Sequence, residues 1–261
     1  MQQRTNCGKP HNTLENARFS DRILGKTLIF SRMYEIHSPR QAIMTEPNSP
    51  AVRKQGVVVP IRSLGENHRE RIAGHLKALD AHDRYYRFGF TANDEQIDRY
   101  VAGLNFERDE IFGIYNRHLQ LIAMAHLAYS SDDRLNACAE FGVSVLAQAR
   151  GRKFGKRLFE RAMMHARNQG VRLMFLHVLS ENAVMLKIAR HAGATVERDG
   201  SESEAHLVLP PATMHTQMTE MVEEHLAQAN YRIKVQAKQF RDMVTRMQAG
   251  WRSAAQGGPF H

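Results

Sequence analysis

Apolar positions along the chain change period from segment to segment, and the changes mark out elements. A short apolar run over 57–61 (Val57, Val58, Val59, Ile61) reads as a first strand. Over 66–79, Ile72, Leu76 and Leu79 fall on one face of a helix, and over 93–104 Ile97, Tyr100, Val101 and Leu104 do the same. The segment between these helices reads as a loop carrying Tyr85, Tyr86, Arg87 and Phe88. Residues 110–115 and 119–129 form a strand pair around the turn Asn116-Arg117-His118. A further strand holds Val143, Val145 and Leu146. The period then becomes helical, with Phe154, Leu158, Phe159, Ala162, Met163 and Ala166 on one buried face, until Gly170 sits where a C′ glycine belongs. An apolar run over 172–179 is of strand length.

Between the strand at Val145 and the helix at Phe154 lies the most unusual stretch. Arg150, Arg152, Lys153, Lys156 and Arg157 crowd a helix start, the end where the macrodipole and free backbone N–H groups already favour negative charge. These cations repel one another unless an anion joins them, and glycines at 151 and 155 let backbone approach a phosphate closely. A solvated basic helix start without a ligand is the plainer alternative. A nucleotide-hydrolysing P-loop is excluded by the spacing of Gly151 and Gly155 and by Arg157 in place of a Ser or Thr. A dinucleotide-binding glycine pattern is also missing.

The run Ala139-Glu140-Phe141-Gly142-Val143-Ser144-Val145-Leu146, the turn Gln148-Ala149-Arg150-Gly151-Arg152-Lys153-Phe154-Gly155-Lys156-Arg157-Leu158, and the later Asn182-Ala183-Val184-Met185-Leu186 through His191-Ala192-Gly193-Ala194 resemble the acetyl-CoA-binding half of the GNAT N-acetyltransferase superfamily. Within it the chain is most similar to the acetyltransferase domains of bacterial protein-lysine acetyltransferases, which share the Ala-Glu-Phe/Val strand start and a segment like Arg84-Tyr85-Tyr86-Arg87-Phe88. The resemblance covers 56–210. It implies an α+β fold: a mixed, mostly antiparallel central sheet flanked by helices.

What the resemblance implies for the site follows position by position. The pyrophosphate loop maps onto Arg150-Gly151-Arg152-Lys153-Phe154-Gly155, with backbone N–H groups of Arg152, Lys153, Gly155 and Lys156 facing the phosphates of acetyl-CoA, the co-substrate. Lys153 stands where the family has its first glycine. Val143 and Val145 would offer backbone groups to the pantetheine arm, and Asn182 would hold the pantetheine or the substrate side. Glu140 is the expected catalytic base, with pairing to Arg87 or Arg117 as its structural alternative. Tyr85, Tyr86, Arg87 and Phe88 border the acceptor groove, or simply pack the helices. Seven residues beyond Asn182, where many members carry a Tyr that protonates the leaving thiolate, this chain has Ala189. The implied activity is acetyl transfer from acetyl-CoA to an amine acceptor, a protein lysine or a small molecule, directly in a ternary complex. A catalytically silent acyl-CoA-binding regulator and an interaction protein acting through its helical tail stay open beside it.

Composition narrows the class only modestly. A chain of 261 residues, 43% hydrophobic and 24% charged, can bury a full core. Its net charge of +9 is scattered apart from the loop cluster, without the helix-turn-helix, zinc-finger or aromatic-interleaved signature of a nucleic-acid binder. Apolar runs are strand-sized and the N-terminus lacks a signal-peptide core, so a cytoplasmic protein without a membrane span is expected. Fourteen histidines fall in no metal-ligand spacing, and no metal site is expected. His126 and His177 read as packed strand histidines, Cys138 as a small buried thiol. Residues 1–50 read as a poorly ordered extension, the part before Met44 being an upstream addition, and 56–210 as the acetyltransferase domain. Over 212–251, Met214, Met218, Met221, Val222, Leu226, Ala229, Ile233, Ala237, Phe240, Val244, Met247 and Trp251 recur every three or four residues. This predicts a long amphipathic helix, or two broken near Asn230, either packed back on its own domain or forming a homodimer seam.

Overall fold

The structure, a computed structural model, describes residues 59–130 and 138–256, with side chains to residue 248. The expectations for residues 1–50, for Val57 and Val58, and for the side chain of Trp251 lie outside the described residues.

The order of elements is β1 (Arg62–Ser63), α1 (Arg69–Lys77), α2 (Ala81–Phe88), α3 (Asp94–Ala102), β2 (Glu110–Tyr115), β3 (Leu121–Tyr129), β4 (Cys138–Val145), α4 (Phe154–Asn168), β5 (Leu173–Leu179), α5 (Ala183–His191), β6 (Thr195–Asp199), β7 (Glu202–Val208) and α6 (Met214–Gln256). The strands form one sheet in the order β1-β2-β3-β4-β5-β7-β6. Every pairing is antiparallel except β4 with β5. This is the mixed, mostly antiparallel sheet with flanking helices that the resemblance implies.

The alternation along β4 separates the two faces of the sheet. Phe141 meets Phe159 of α4 edge to face at 5.1 Å between ring centroids, so odd-numbered positions look toward α4. Even-numbered positions look the other way. Ser144 hydrogen-bonds His75 of α1 at 2.8 Å, and Gly142 lies under Arg87 of α2. His75 Nδ1–H donates to the Leu121 carbonyl, leaving Nε2 to accept from the Ser144 hydroxyl. Burial drives its pKa down to about 4, so the ring is a neutral cross-link between α1 and the sheet.

Three local expectations are corrected. Residues 59–61 are not strand, and the first pairing comes at Arg62 and Ser63, against Gly113 and Phe112. The segment of Tyr85 to Phe88 is not a loop but the end of α2. Asp80 caps that helix by accepting from the Asp83 N–H at 2.8 Å, and Gly89, at φ 77, closes it. Its eight residues are too few for the apolar period to stand out. β3 starts at Leu121 rather than at 119, because Leu119 is left-handed (φ 61) and the Asn116 side chain ties the turn to the N–H groups of His118 and Gln120.

α6 is one helix of 43 residues, unbroken at Asn230, and at 1.5 Å per residue it runs roughly 65 Å. Its first half lies on the domain through polar and aromatic groups. Glu220 and Glu224 flank Arg161 of α4, whose side chain is 3% exposed. Tyr231 lies under the Arg62 guanidinium at 3.8 Å and accepts from Arg71, while Lys234 donates to the Tyr115 carbonyl. Among the described residues no helix is long and apolar enough to cross a membrane.

Candidate functional site

The parallel pairing of β4 and β5 is brief. Cys138, Ala139 and Glu140 lie opposite Leu173, Met174 and Phe175, and beyond Glu140 the two strands part. The direction of the backbone groups along the opened edge can be read from the bonds to β3. The Cys138 carbonyl accepts from Ser130, and the Leu146 N–H donates to Ile122. Even-numbered residues of β4 therefore turn their N–H and C=O toward β3, and Val143 and Val145 turn theirs toward the gap. A half-buried strand edge with no neighbouring strand among the described residues leaves these groups in need of partners. An extended ligand could supply them.

The gap is a cleft of about 340 Å³ including its open mouth. Tyr86 and Arg87 of α2, Gly142 and Val143 of β4, His177 of β5 and Asn182 at the start of α5 all line it. Asn182 uses its side-chain oxygen to cap α5, accepting from Met185 N–H at 3.1 Å, which leaves its amide NH₂ for the cleft. Met185, Leu176 and Val178 form its apolar wall.

The basic loop sits where β4 runs into α4. Lys153 is the N-cap of α4 and is left-handed, at φ 60 and ψ 22. The backbone thus adopts at a lysine the conformation that glycine adopts freely. The first helical bond is from Arg157 N–H to the Lys153 carbonyl. Among the described residues no backbone acceptor takes the N–H groups of Arg152, Lys153, Gly155 or Lys156. Phe154 contributes only backbone here, since its ring is buried in the core. Gly151, at φ 77, makes the preceding turn. Arg150 is committed elsewhere: its guanidinium pairs with Asp83 of α2 and ties the loop to that helix. Lys156 makes an exposed pair with Glu160 at 3.6 Å. Arg152, Lys153 and Arg157 have no carboxylate partner among the described residues. Together with the free N–H groups they form a helix N-terminus suited to a polyphosphate.

Glu140 holds the last paired position of β4, on the face turned to α1–α3, one pair before the strands part, and is not itself among the cleft-lining residues. Neither Arg87 nor Arg117 pairs with it. Arg87 Nη2 donates instead to the Tyr100 hydroxyl at 2.6 Å, and Arg117 contacts His118. Arg87 needs the glycine beneath it, because a Cβ at Gly142 would stand 3.0–3.1 Å from the guanidinium.

Behind Arg87 runs a buried chain of polar groups that periodicity alone does not reveal. Tyr100 Oη lies 2.8 Å from His126 Nδ1, and His126 Nε2 lies 3.2 Å from Asp109 Oδ2. With Nε2–H donating to the carboxylate, Nδ1 accepts from the Tyr100 hydroxyl, which accepts from Arg87. Burial raises the Tyr100 pKa, Arg87 offsets part of that, and the charges of Glu140 and Asp109 add to the rise. Burial would also raise Asp109, but its bonds to His126 and Arg108 outweigh this and hold the carboxyl below its usual value.

The structure thus brings together Val143, Asn182, Tyr86 and Arg87 around the cleft, with Glu140 on the strand just before it opens. Phe88 stacks edge-on against Tyr100 at 5.4 Å, on the core side of α2, and Tyr85 is not among the cleft-lining residues. Val145 lies farther along the opened strand, beside Gly155. His126 and His177, read from sequence as packed histidines, are respectively the centre of the polar chain and a wall of the cleft. The one sequence signal for them is their even or odd place on an apolar strand, which cannot say what stands opposite. Ala189 is fully buried and supplies no proton. Cys138 is a buried thiol, as expected.

Residues 75–194 match the acetyltransferase (GNAT) family, and this part of the chain is a GNAT acetyltransferase domain. Among solved structures, the GNAT domain of S. lividans PAT is 20% identical at a TM-score of 0.50, over 62% of this chain and 100% of that one. Spermidine N-acetyltransferase from Vibrio cholerae, solved with CoA and spermine, is 16% identical at 0.48, over 59% and 96%. Ribosomal-protein-alanine N-acetyltransferase from Brucella melitensis is 15% identical at 0.46, over 57% and 99%. At such identity the S. lividans likeness is one of fold. No curated protein matches the sequence.

Proposed function

We propose that the protein transfers an acetyl group from acetyl-CoA to an amine, on a protein lysine or a small molecule, directly within a ternary complex. The observation that carries this reading is the parting of β4 and β5 immediately after Glu140, with unpaired strand edge along one side and a cationic helix N-terminus at its end. The pantetheine arm lies along Val143 and Val145 as an added strand, and the pyrophosphate meets the N–H groups of Arg152, Lys153, Gly155 and Lys156. Glu140, free of any ion pair among the described residues, takes the proton from the attacking amine. The nitrogen adds to the thioester carbonyl, whose oxygen takes a hydrogen bond from a β4 N–H turned to the gap. The C–S bond then breaks and the sulfur leaves as thiolate. Tyr86 and His177 are the titratable cleft residues able to return a proton to it.

The test is release of CoA thiol with spermidine, free amino acids and lysine peptides as acceptors, read beside thermal stabilisation by acetyl-CoA. At about 100 times its dissociation constant the ligand should add roughly 2.7 kcal/mol. Glu140→Gln should lose about 10²–10⁴-fold in kcat with that stabilisation intact. Stabilisation without turnover on any acceptor, unchanged by Glu140→Gln, would turn the reading into a silent acyl-CoA-binding module. No stabilisation would end it.

A further inference from the structure

α6 docks on its domain with the wrong face for a solvent-covered helix. Among the described residues, nine of the eleven exposed large hydrophobics belong to this one helix, while the residues it presses on the domain include Glu220, Glu224, Tyr231 and Lys234 and, of its apolar ones, the small Ala227. An amphipathic helix resting on its own domain would turn its apolar side inward. Here the polar side is turned in and the apolar side out.

The exposed side has a coiled-coil register. Leu226, Ile233, Phe240 and Met247 stand seven residues apart, and all four are more than half exposed. Between them Val222, Ala229, Gln236 and Met243 form a second series seven apart, offset by four and three, and these too are exposed. The first series has the spacing of heptad position a and the second that of d. The docked residues Glu220, Ala227, Lys234 and Arg241 then occupy b, and Glu224 and Tyr231 occupy f, the positions that face away from the seam of a two-stranded coiled coil. The domain therefore sits on the back of the helix and leaves the seam clear.

We infer that a second copy of this chain covers the seam, as a parallel two-stranded coiled coil over 222–247. The area fits: at roughly 100 Å² per seam side chain the strip contributes about 800 Å² from each copy, the share of a stable interface. The strip is also larger than the apolar patch of a few hundred Å² that a monomer commonly exposes. Gln236 sets the orientation. Parallel strands place d against d, so its amide meets the same amide of the second copy. Antiparallel strands place d against a, where every residue of the seam is apolar. Flanking charges agree with the parallel register, which sets Arg232 beside Ala237, Gln239 beside Val244 and His225 beside Asn230, with no like charges opposed. The two domains stand on opposite outer sides of one two-fold axis.

The full chain at about 100 μM should sediment at twice its 29.8 kDa monomer mass. Ile233→Glu with Phe240→Glu should halve that mass with an unchanged far-UV circular dichroism spectrum, since both side chains are mostly exposed on α6. In a Cys7→Ser background, Gln236→Cys should form a disulfide-linked dimer on mild oxidation, a readout that leaves the apolar seam intact. A wild-type chain of monomer mass at this concentration overturns the proposal, as does a dimer that survives the double substitution. Co-sedimentation of that monomer with 3:1 phosphatidylcholine–phosphatidylglycerol vesicles would assign the face to a membrane surface instead. A dimer that Gln236→Cys does not link overturns the parallel register.

Discussion

Lys153 is the residue at which the basic loop departs from its family's glycine, and the structure turns that departure into a measurement. At φ 60 the residue is left-handed, which costs an L-residue roughly 1–2 kcal/mol against the right-handed region. Lys153→Ala and Lys153→Gly both delete the cation, but only glycine also deletes the Cβ. Glycine loses about 0.5–1 kcal/mol of this gain to its freer unfolded chain, so Lys153→Gly should exceed Lys153→Ala in stability by about 1 kcal/mol. For a folded unit of this size that is a difference in Tm of about 3 °C, readable by differential scanning calorimetry without ligand. Acetyl-CoA affinity, measured by titration calorimetry, should fall about threefold in both variants, because the lost contact is an exposed ion pair. The two readouts are separable, since one belongs to the backbone and the other to the charge. An alanine variant at least as stable as the glycine variant would refute the left-handed assignment. Undiminished affinity in both would remove the Lys153 side chain from the phosphate site.

Gly142→Ala should destabilise by about 1–2 kcal/mol, because its Cβ would press the Arg87 guanidinium off the Tyr100 hydroxyl. In an Arg87→Ala background that cost should largely vanish, and a thermal double-mutant cycle without coupling would rule out the contact. Arg161→Met removes the buried cation between Glu220 and Glu224, leaving Glu220 to His165 and Asn168 and Glu224 without an ion pair among the described residues, and should cost about 3 kcal/mol in urea denaturation. Hydrogen exchange should rise over residues 214–234, and unchanged protection there would mean that other contacts hold α6. His75 has its folded pKa at about 4, below the 6.5 of the unfolded ring, so its stabilising contribution is complete above pH 6.5 and is lost as pH falls toward 4. The loss attributable to it between pH 7 and pH 5 is about 2 kcal/mol. Urea curves at the two pH values should show it, and an equally steep loss in His75→Asn would assign it to other groups.

The sequence by itself determined what depends on neighbours along the chain. The helix face from Phe154 to Ala166 and its close at Gly170, the strand over 110–115 and the crowding of cations at one helix start follow from period and turn chemistry within about fifteen residues. So does the family resemblance of the loop. Tertiary structure decided whatever depends on which distant segment stands opposite. Nothing near Glu140 says that β5 leaves it one pair later, since register between strands 35 residues apart is set by packing on both faces. The chain Arg87–Tyr100–His126–Asp109 draws on two helices, a loop and a strand, and each member alone reads as ordinary core or surface. The last case is α6. Its pattern announces an apolar face, but an amphipathic period carries no information about its partner. It was the ion pairs and the cation over Tyr231 on the opposite side that fixed which face met the domain and which was left for another surface.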